Sequence, residues 1–181
     1  RTLSGVISGD TVSYSGGTAT FSDRNAGTAK TVTATGLGLT GADALNYTVN
    51  TTASTTADIT QRPLSTWSGS GDGVNWSNAA NWDALPDLSN VLAVTIPTGA
   101  NVTYDAAVGT TNLATLTAAG LNIAGGSLNI TDKLTAGGLN IAGGTLNIAN
   151  NLTVSSSFSQ TGGTLGEFAG DAQAHVDDDG A

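Results

Sequence analysis

The sequence predicts an all-β chain in which an antiparallel β-sandwich is followed by a short parallel β-solenoid. Two observations carry this prediction: a ten-residue segment recurs eighteen positions further on, and short β-rich runs separated by glycine fill the first third of the chain. Composition agrees, because only 10% of the residues are charged and 25 are glycine. We predict four regions: a sandwich over 1–62, a connector with entry strands over 63–104, a solenoid over 105–168 and an acidic tail over 169–181.

The amino-terminal region is predicted to form short antiparallel strands. One glycine pair, an Asn-Ala-Gly turn and Gly41 separate its β-rich runs, which are Thr11–Tyr14, Thr18–Phe21, Lys30–Thr35 and Asn46–Val49. Spacing of this kind favours a small sandwich with one face in water.

The connector carries all three tryptophans of the chain, Trp67, Trp76 and Trp82. An exposed aromatic platform of this kind binds sugar rings. The alternative is that the rings plug the end of the solenoid or the interdomain seam, because a tryptophan buries about 150 to 250 Å² and few other large apolar residues are available. We favour the plug and keep the sugar platform as a candidate binding site.

A second candidate site lies in the same connector, where Gly71-Asp72-Gly73 precedes Asn75. The oxygen atoms of Asp72 and Asn75 are suitable ligands for calcium. Because their spacing fits no known calcium loop, a plain turn is favoured. The sequence predicts no other cofactor.

The solenoid prediction rests on the segment LNIAGGSLNI at 121–130, which returns as LNIAGGTLNI at 139–148. Alternation with a period of two places leucine and isoleucine on one face and asparagine on the other. Eighteen extended residues span about 60 Å, which suits three short strands and three corners in each turn. About three turns are predicted, with these inward residues: Leu121, Ile123, Leu128, Ile130, Leu139, Ile141, Leu146 and Ile148.

A calcium-binding β-roll is the alternative to a β-helix, since eighteen is twice nine. Its turns need aspartate ligands, whereas only Asp132 lies between the two copies here. We therefore predict a metal-independent β-helix. Asn122 with Asn140, and Asn129 with Asn147, are expected to stack as hydrogen-bonded ladders.

Charge and residue content exclude several classes of function. A net charge of −9 with 5 basic residues disfavours nucleic acid and anionic membranes, and no apolar run is long enough for membrane insertion. Cysteine is absent and the single histidine, His175, lies in the tail, so nucleophilic catalysis has no obvious machinery and we expect no enzyme activity. Asp177, Asp178 and Asp179 beside it are expected to be a solvated acidic run.

Residues 3–59 resemble the YDG domain, a repeated module of very large bacterial filamentous-haemagglutinin-like adhesins. The matching pieces are Ser8-Gly9-Asp10, Phe21-Ser22-Asp23, Asn25-Ala26-Gly27, Lys30-Thr31-Val32, Leu39 through Asp43, Asn46-Tyr47 and Ala57-Asp58-Ile59. The resemblance implies an immunoglobulin-like sandwich in a secreted, surface-exposed bacterial protein with a structural or adhesive role.

Modules of that family begin with a Tyr-Asp-Gly signature and a first strand that do not stand before Arg1 here, so the resemblance implies either a trimmed fragment or a sandwich whose first strand comes from a neighbouring molecule. A sandwich without a strand exposes an open edge, and so does the last rung of a solenoid. We therefore expect self-association into a fibre, or a place within a longer parent chain. The alternative is a module that binds a host glycan or surface protein through the tryptophans or the solenoid face.

Overall fold

The computed structural model describes residues 3–166 and 174–176, and it divides the chain into two compact units, 1–60 and 61–181. The all-β prediction is confirmed: the described residues form strands with three single-turn 3-10 helices, and the sheets are one antiparallel and one parallel. The 3-10 helices are η1 (Ala44–Asn46), η2 (Ala79–Asn81) and η3 (Ala106–Val108).

The first unit is a three-stranded antiparallel sheet. Its strands lie in the order β1 (Ser13–Phe21), β2 (Gly27–Thr40) and β3 (Thr52–Ile59), with β2 in the centre. The described residues form one layer here, where the sequence predicted two, and none of residues 3–60 is buried. The predicted strand Asn46–Val49 is not formed, because η1 ends there and the Tyr47 hydroxyl instead donates to Asp10 Oδ2 at 2.6 Å.

The second unit is a parallel β-solenoid of about four turns, where about three were predicted. Its strands are β4 (Arg62–Thr66), β5 (Val91–Tyr104), β6 (Thr110–Ile123), β7 (Ser127–Ile141), β8 (Thr145–Ile148), β9 (Asn151–Gln160), β10 (Thr164–Leu165) and β11 (Ala174–Val176). Each long strand bends round a corner, so that successive turns pair in parallel along the stack.

The solenoid begins at Arg62, well before the predicted residue 105. Strand β4 pairs with β5. Strand β5 in turn pairs with β6, from Ala93 opposite Thr115 to Tyr104 opposite Ile123. The region predicted as a connector therefore supplies the first rungs. These rungs could not be recognised from the eighteen-residue period. Ala93 lies opposite Thr115, twenty-two residues later, so this turn is longer than the repeat.

Equivalent inward residues of successive turns lie on top of one another, and these columns of side chains fill the solenoid interior. All eight predicted inward leucines and isoleucines are buried, in register with their copies one turn away, as Leu121 lies opposite Leu139 and Leu128 opposite Leu146. The corners need glycine: Gly144 has φ of 65°, and a Cβ there would lie 2.6 Å from the carbonyl carbon of Gly125. The turns therefore stack too closely at this corner for any side chain.

Candidate functional site: the capped end of the solenoid

The three tryptophans form one buried cluster at the β4 end of the solenoid. The ring centroids of Trp67 and Trp82 are 4.8 Å apart, those of Trp76 and Trp82 are 4.7 Å apart, and Trp76 meets Tyr104 at 5.1 Å. Trp76 is fully buried and the other two tryptophans are at most 6% exposed. The rings therefore present no open face on which a sugar could stack. They instead plug the end of the solenoid, which is the arrangement that the sequence favoured.

Trp76 and Trp82 each donate their indole N–H group to a backbone carbonyl. Trp76 Nε1 donates to the Pro86 carbonyl at 2.7 Å, and Trp82 Nε1 donates to the Trp76 carbonyl at 2.8 Å. A buried indole N–H without an acceptor would lose about 1 to 3 kcal/mol of stability, so these two bonds fix the ring positions. The cluster is thus a specific piece of core.

The loop 71–75, a candidate calcium site from its sequence, is organised by an amide side chain. Asn81 is fully buried, its Nδ2 donates to Asp72 Oδ1 at 2.7 Å and to the Asn75 carbonyl at 3.0 Å, and its Oδ1 accepts the backbone N–H groups of Gly71 and Gly73 at 2.8 and 3.0 Å. The Asn81 amide therefore makes four hydrogen bonds and occupies the centre of the loop.

Asp72 is saturated with hydrogen-bond donors. Its carboxylate accepts from the backbone N–H groups of Val74 and Asn75 at 3.0 Å each, from Asn75 Nδ2 at 2.9 Å and from Asn81. These bonds, led by the one from Val74, hold the pKa of Asp72 well below its usual range. Asp72 and Asn75 thus bond to each other and to Asn81 in the manner of the predicted plain turn.

Within the described residues no group of three His, Cys, Asp or Glu side chains is placed to hold a metal ion. Asp177, Asp178 and Asp179 lie outside the described residues, and of His175 only its backbone pairing with Thr153 in β9 is described.

The outer edge of β4 is blocked by Asp83. Its Oδ1 accepts the backbone N–H of Thr66 at 3.0 Å, its own N–H donates to the Thr66 carbonyl at 3.3 Å, and Arg62 Nη2 lies 2.7 Å from Asp83 Oδ2. Arg62 Nε also donates to the Leu64 carbonyl at 2.8 Å. The bond from Thr66 is the largest cause that lowers the pKa of Asp83. This end of the stack therefore has few backbone groups left for another strand.

Asparagine ladders run along the solenoid surface, as predicted. Asn140 Nδ2 donates to Asn122 Oδ1 at 2.8 Å, and Asn147 Nδ2 donates to Asn129 Oδ1 at 2.7 Å. The second ladder is one step longer than predicted, because Asn129 Nδ2 donates to Asn112 Oδ1 at 2.8 Å. Each rung is thus tied to the next through side chains as well as backbone.

A row of threonines follows another face of the solenoid. Thr66, Thr95, Thr117, Thr135 and Thr153 lie opposite one another in consecutive rungs, on the side of each strand that faces away from the core. This row and the asparagine ladders give the rod uncharged, hydrogen-bonding outer surfaces.

Asn81 and Asp83, which hold the cap together, were not identified from the sequence. One signal was available, because Asn75-Trp76 and Asn81-Trp82 repeat the same dipeptide six residues apart. Asp83 gives no such signal, because its role depends on β4 lying at the edge of the stack.

Fold and cap together define a β-solenoid protein with an amino-terminal antiparallel sheet and a plugged solenoid end. Residues 1–57 match the family model of the YDG domain, which supports that part of the predicted resemblance. A search of curated proteins found no match, and a search of solved structures found none either. Among the described residues no helix has the length and apolar character needed to cross a membrane.

Proposed function

We propose that this chain is a non-enzymatic structural segment of a secreted bacterial surface adhesin of the filamentous-haemagglutinin-like kind. In this proposal it assembles end to end by strand complementation into an extracellular fibre. The resemblance of the first unit to the YDG domain supports the class, and the solenoid supports a role in length and stiffness, because each rung contacts only its neighbours.

The exposed edge of β3 is the observation that carries the assembly proposal. Strand β3 pairs with β2 along one side and has no strand partner on the other within the described residues. Seven of its eight residues are exposed, and Asp58 is its one charged residue. A long edge without lysine, arginine or proline is a ready template for an added strand.

The two ends of the solenoid differ in a way that suits a directional assembly. Asp83 and the tryptophan cluster block the β4 end, whereas in the last described rungs Phe158 is 40% exposed although it lies opposite the buried Leu139. Two solenoids would therefore not stack at their β4 ends.

Sedimentation velocity and electron microscopy of the purified chain test the proposal. Concentration-dependent oligomers and filaments are expected. The filaments, which need strand addition, should disappear in a Ser54→Lys/Thr56→Lys variant that places two charges on the β3 edge. Thr31→Lys/Thr33→Lys on the central strand β2 adds the same charge and should assemble normally. A wild-type chain that stays monomeric across the whole concentration range would overturn strand complementation.

A second candidate function is binding of a host glycan or surface protein through the solenoid face. The threonine row favours it, because five hydroxyl groups repeat at the rung spacing of about 4.8 Å and could bond to a polymer. A glycan array tests this role. Specific signal that is lost in Thr117→Val/Thr135→Val would support binding, and a blank array would remove the glycan version.

A further inference from the structure

Over residues 18–21, 30–35 and 52–57, the two faces of the first unit's sheet differ sharply in chemistry. Residues directly opposite each other on paired strands point to the same face. One face therefore carries Thr18, Thr20, Thr31, Thr33, Thr35, Thr52, Ser54 and Thr56, and the other carries Ala19, Phe21, Lys30, Val32, Ala34, Ala53, Thr55 and Ala57. We call the second of these the alanine face.

The alanine face has no covering layer among the described residues of its unit. Phe21 is 42% exposed, Ala19 and Ala53 are exposed, and Val32 and Ala34 are only half buried although they lie on the central strand. A sheet with one apolar face normally packs that face against a second layer. This unit therefore needs an occupant for the alanine face.

The shape of the alanine face allows two copies of this face to fit together. Ala19, Ala34 and Ala53 lie opposite one another in a row across all three strands, which forms a groove. The next row, two residues or about 7 Å along the strands, is Phe21, Val32 and Thr55, which forms a ridge. A twofold axis between the two rows would place the ridge of one copy in the groove of the other, which is the geometry of an isologous dimer.

Charge does not oppose contact between two copies. Lys30 is the one charged residue among the paired positions of the alanine face, and its ammonium group forms an ion pair with Asp23. The neighbouring Asp58 contributes its carboxylate to the loop, where Oδ1 accepts the Ala29 N–H at 2.8 Å. A chain of net charge −9 can therefore approach its copy at this face without bringing excess like charges together.

We infer that the alanine face is a docking surface for the same face of a second copy, so that two three-stranded sheets form one sandwich between chains. Three strands of about seven residues cover roughly 330 Å², well below the roughly 800 Å² that each partner buries in a standard interface. The dimer is therefore weak, and several copies joined in one fibre would strengthen it through multivalency. This contact uses the face of the sheet and is separate from strand addition at the β3 edge.

The chain contains no cysteine, so a single introduced thiol reports on one position. Ala34→Cys places it in the groove and Thr33→Cys places it on the opposite face of the same strand. In the dimer the thiol of Ala34→Cys is covered, so only the monomer reacts with maleimide. For a dimer with a Kd near 50 µM, the labelling rate is expected to fall about fourfold between about 5 and 500 µM protein. The rate for Thr33→Cys should not change.

Labelling of Ala34→Cys that is fast at every concentration would overturn the inference, because the face would then be open. Labelling that is slow at every concentration would overturn it too, since the chain's own residues would cover the face. Val32→Glu gives an independent check: it should abolish the dimer in sedimentation equilibrium, whereas Thr33→Glu should keep it. Both measurements use the Ser54→Lys/Thr56→Lys background, in which strand addition at β3 is blocked. The contact through the alanine face is therefore measured separately from the proposed strand addition.

Discussion

The side-chain amide of Asn81 donates to Asp72 Oδ1 over 2.7 Å, and this bond joins the loop 71–75 to the tryptophan cluster. Trp82 follows Asn81 directly, and its ring packs on both other tryptophans. One buried amide thus positions the loop on one side and the aromatic plug on the other. The end of the solenoid is closed by this relationship and by Asp83 on the strand edge.

Replacing Asn81 should therefore weaken the whole solenoid end. Asn81→Ala removes four hydrogen bonds in a fully buried site and leaves two glycine N–H groups without their acceptor, so a loss of about 3 kcal/mol in the free energy of unfolding is expected. Urea unfolding followed by tryptophan fluorescence measures it, because all three tryptophans lie in the second unit. Asn150→Ala, which removes one exposed bond to the Thr131 carbonyl, should cost less than about 1 kcal/mol. Equal effects of the two variants would contradict the central role of Asn81.

The cap should also make the solenoid sensitive to acid. The pKa values of Asp72 and Asp83 are lowered in the folded chain, whereas an unfolded aspartate titrates near 3.9. The unfolded state then binds more protons in this range, so both groups stabilise the fold fully above about pH 5 and lose that effect as the pH falls below about 4. The urea midpoint should fall steeply below that pH.

Asp72→Asn removes one of these titrating groups. It should lower stability at neutral pH, because an amide cannot accept all the donors that surround Asp72, and it should flatten the acid dependence. Asp132→Asn, at an exposed position in β7, is the matched control for the removal of one carboxylate and should leave stability at neutral pH unchanged. An unchanged acid slope in Asp72→Asn would show that Asp72 does not contribute.

An alkaline transition is expected from Tyr104. Burial raises the pKa of this tyrosine to about 12, and its hydroxyl donates to the Ser127 carbonyl at 3.0 Å. Because the folded pKa is higher than the unfolded value near 10, the stabilising effect is present below pH 10 and is lost as the pH rises towards 12. Absorbance titration should show a tyrosine component near pH 12 that Tyr104→Phe removes. A titration of Tyr104 near 10 in the folded chain would contradict its burial.

The sequence predicted those parts of the fold that depend on local repetition. The inward columns through Leu121 and Leu139 could be identified because each turn must present the same side chains to the next. The cap could not, because the side chains of Asn81 and Asp83 contact residues six or more positions away across an irregular loop. Burial of the tryptophans could be predicted, because the chain has few other large apolar residues, but their ring-to-ring contacts are seen only in the structure.

The asparagine ladder gives the sharpest test of rung-to-rung coupling. Asn129 donates to Asn112 Oδ1 and accepts from Asn147 Nδ2, while the Asn112 amide is itself directed to the Leu88 carbonyl and Ser89 Oγ. In Asn129→Asp the carboxylate can still accept from Asn147 but meets an oxygen at Asn112. Turning the Asn112 amide would remove that repulsion only by breaking its other two bonds.

A loss of about 1 to 3 kcal/mol is therefore expected for Asn129→Asp, and a similar loss for Asn147→Asp, whose carboxylate would meet Asn129 Oδ1. Urea unfolding followed by tryptophan fluorescence gives both values. Because the ladder lies on the outside of the rod, the cost should shrink below about pH 4, where the introduced acid becomes protonated and can donate to Asn112 again. A pH-independent loss would mean that Asn129 acts through packing, and the ladder would then not couple the rungs through hydrogen bonds.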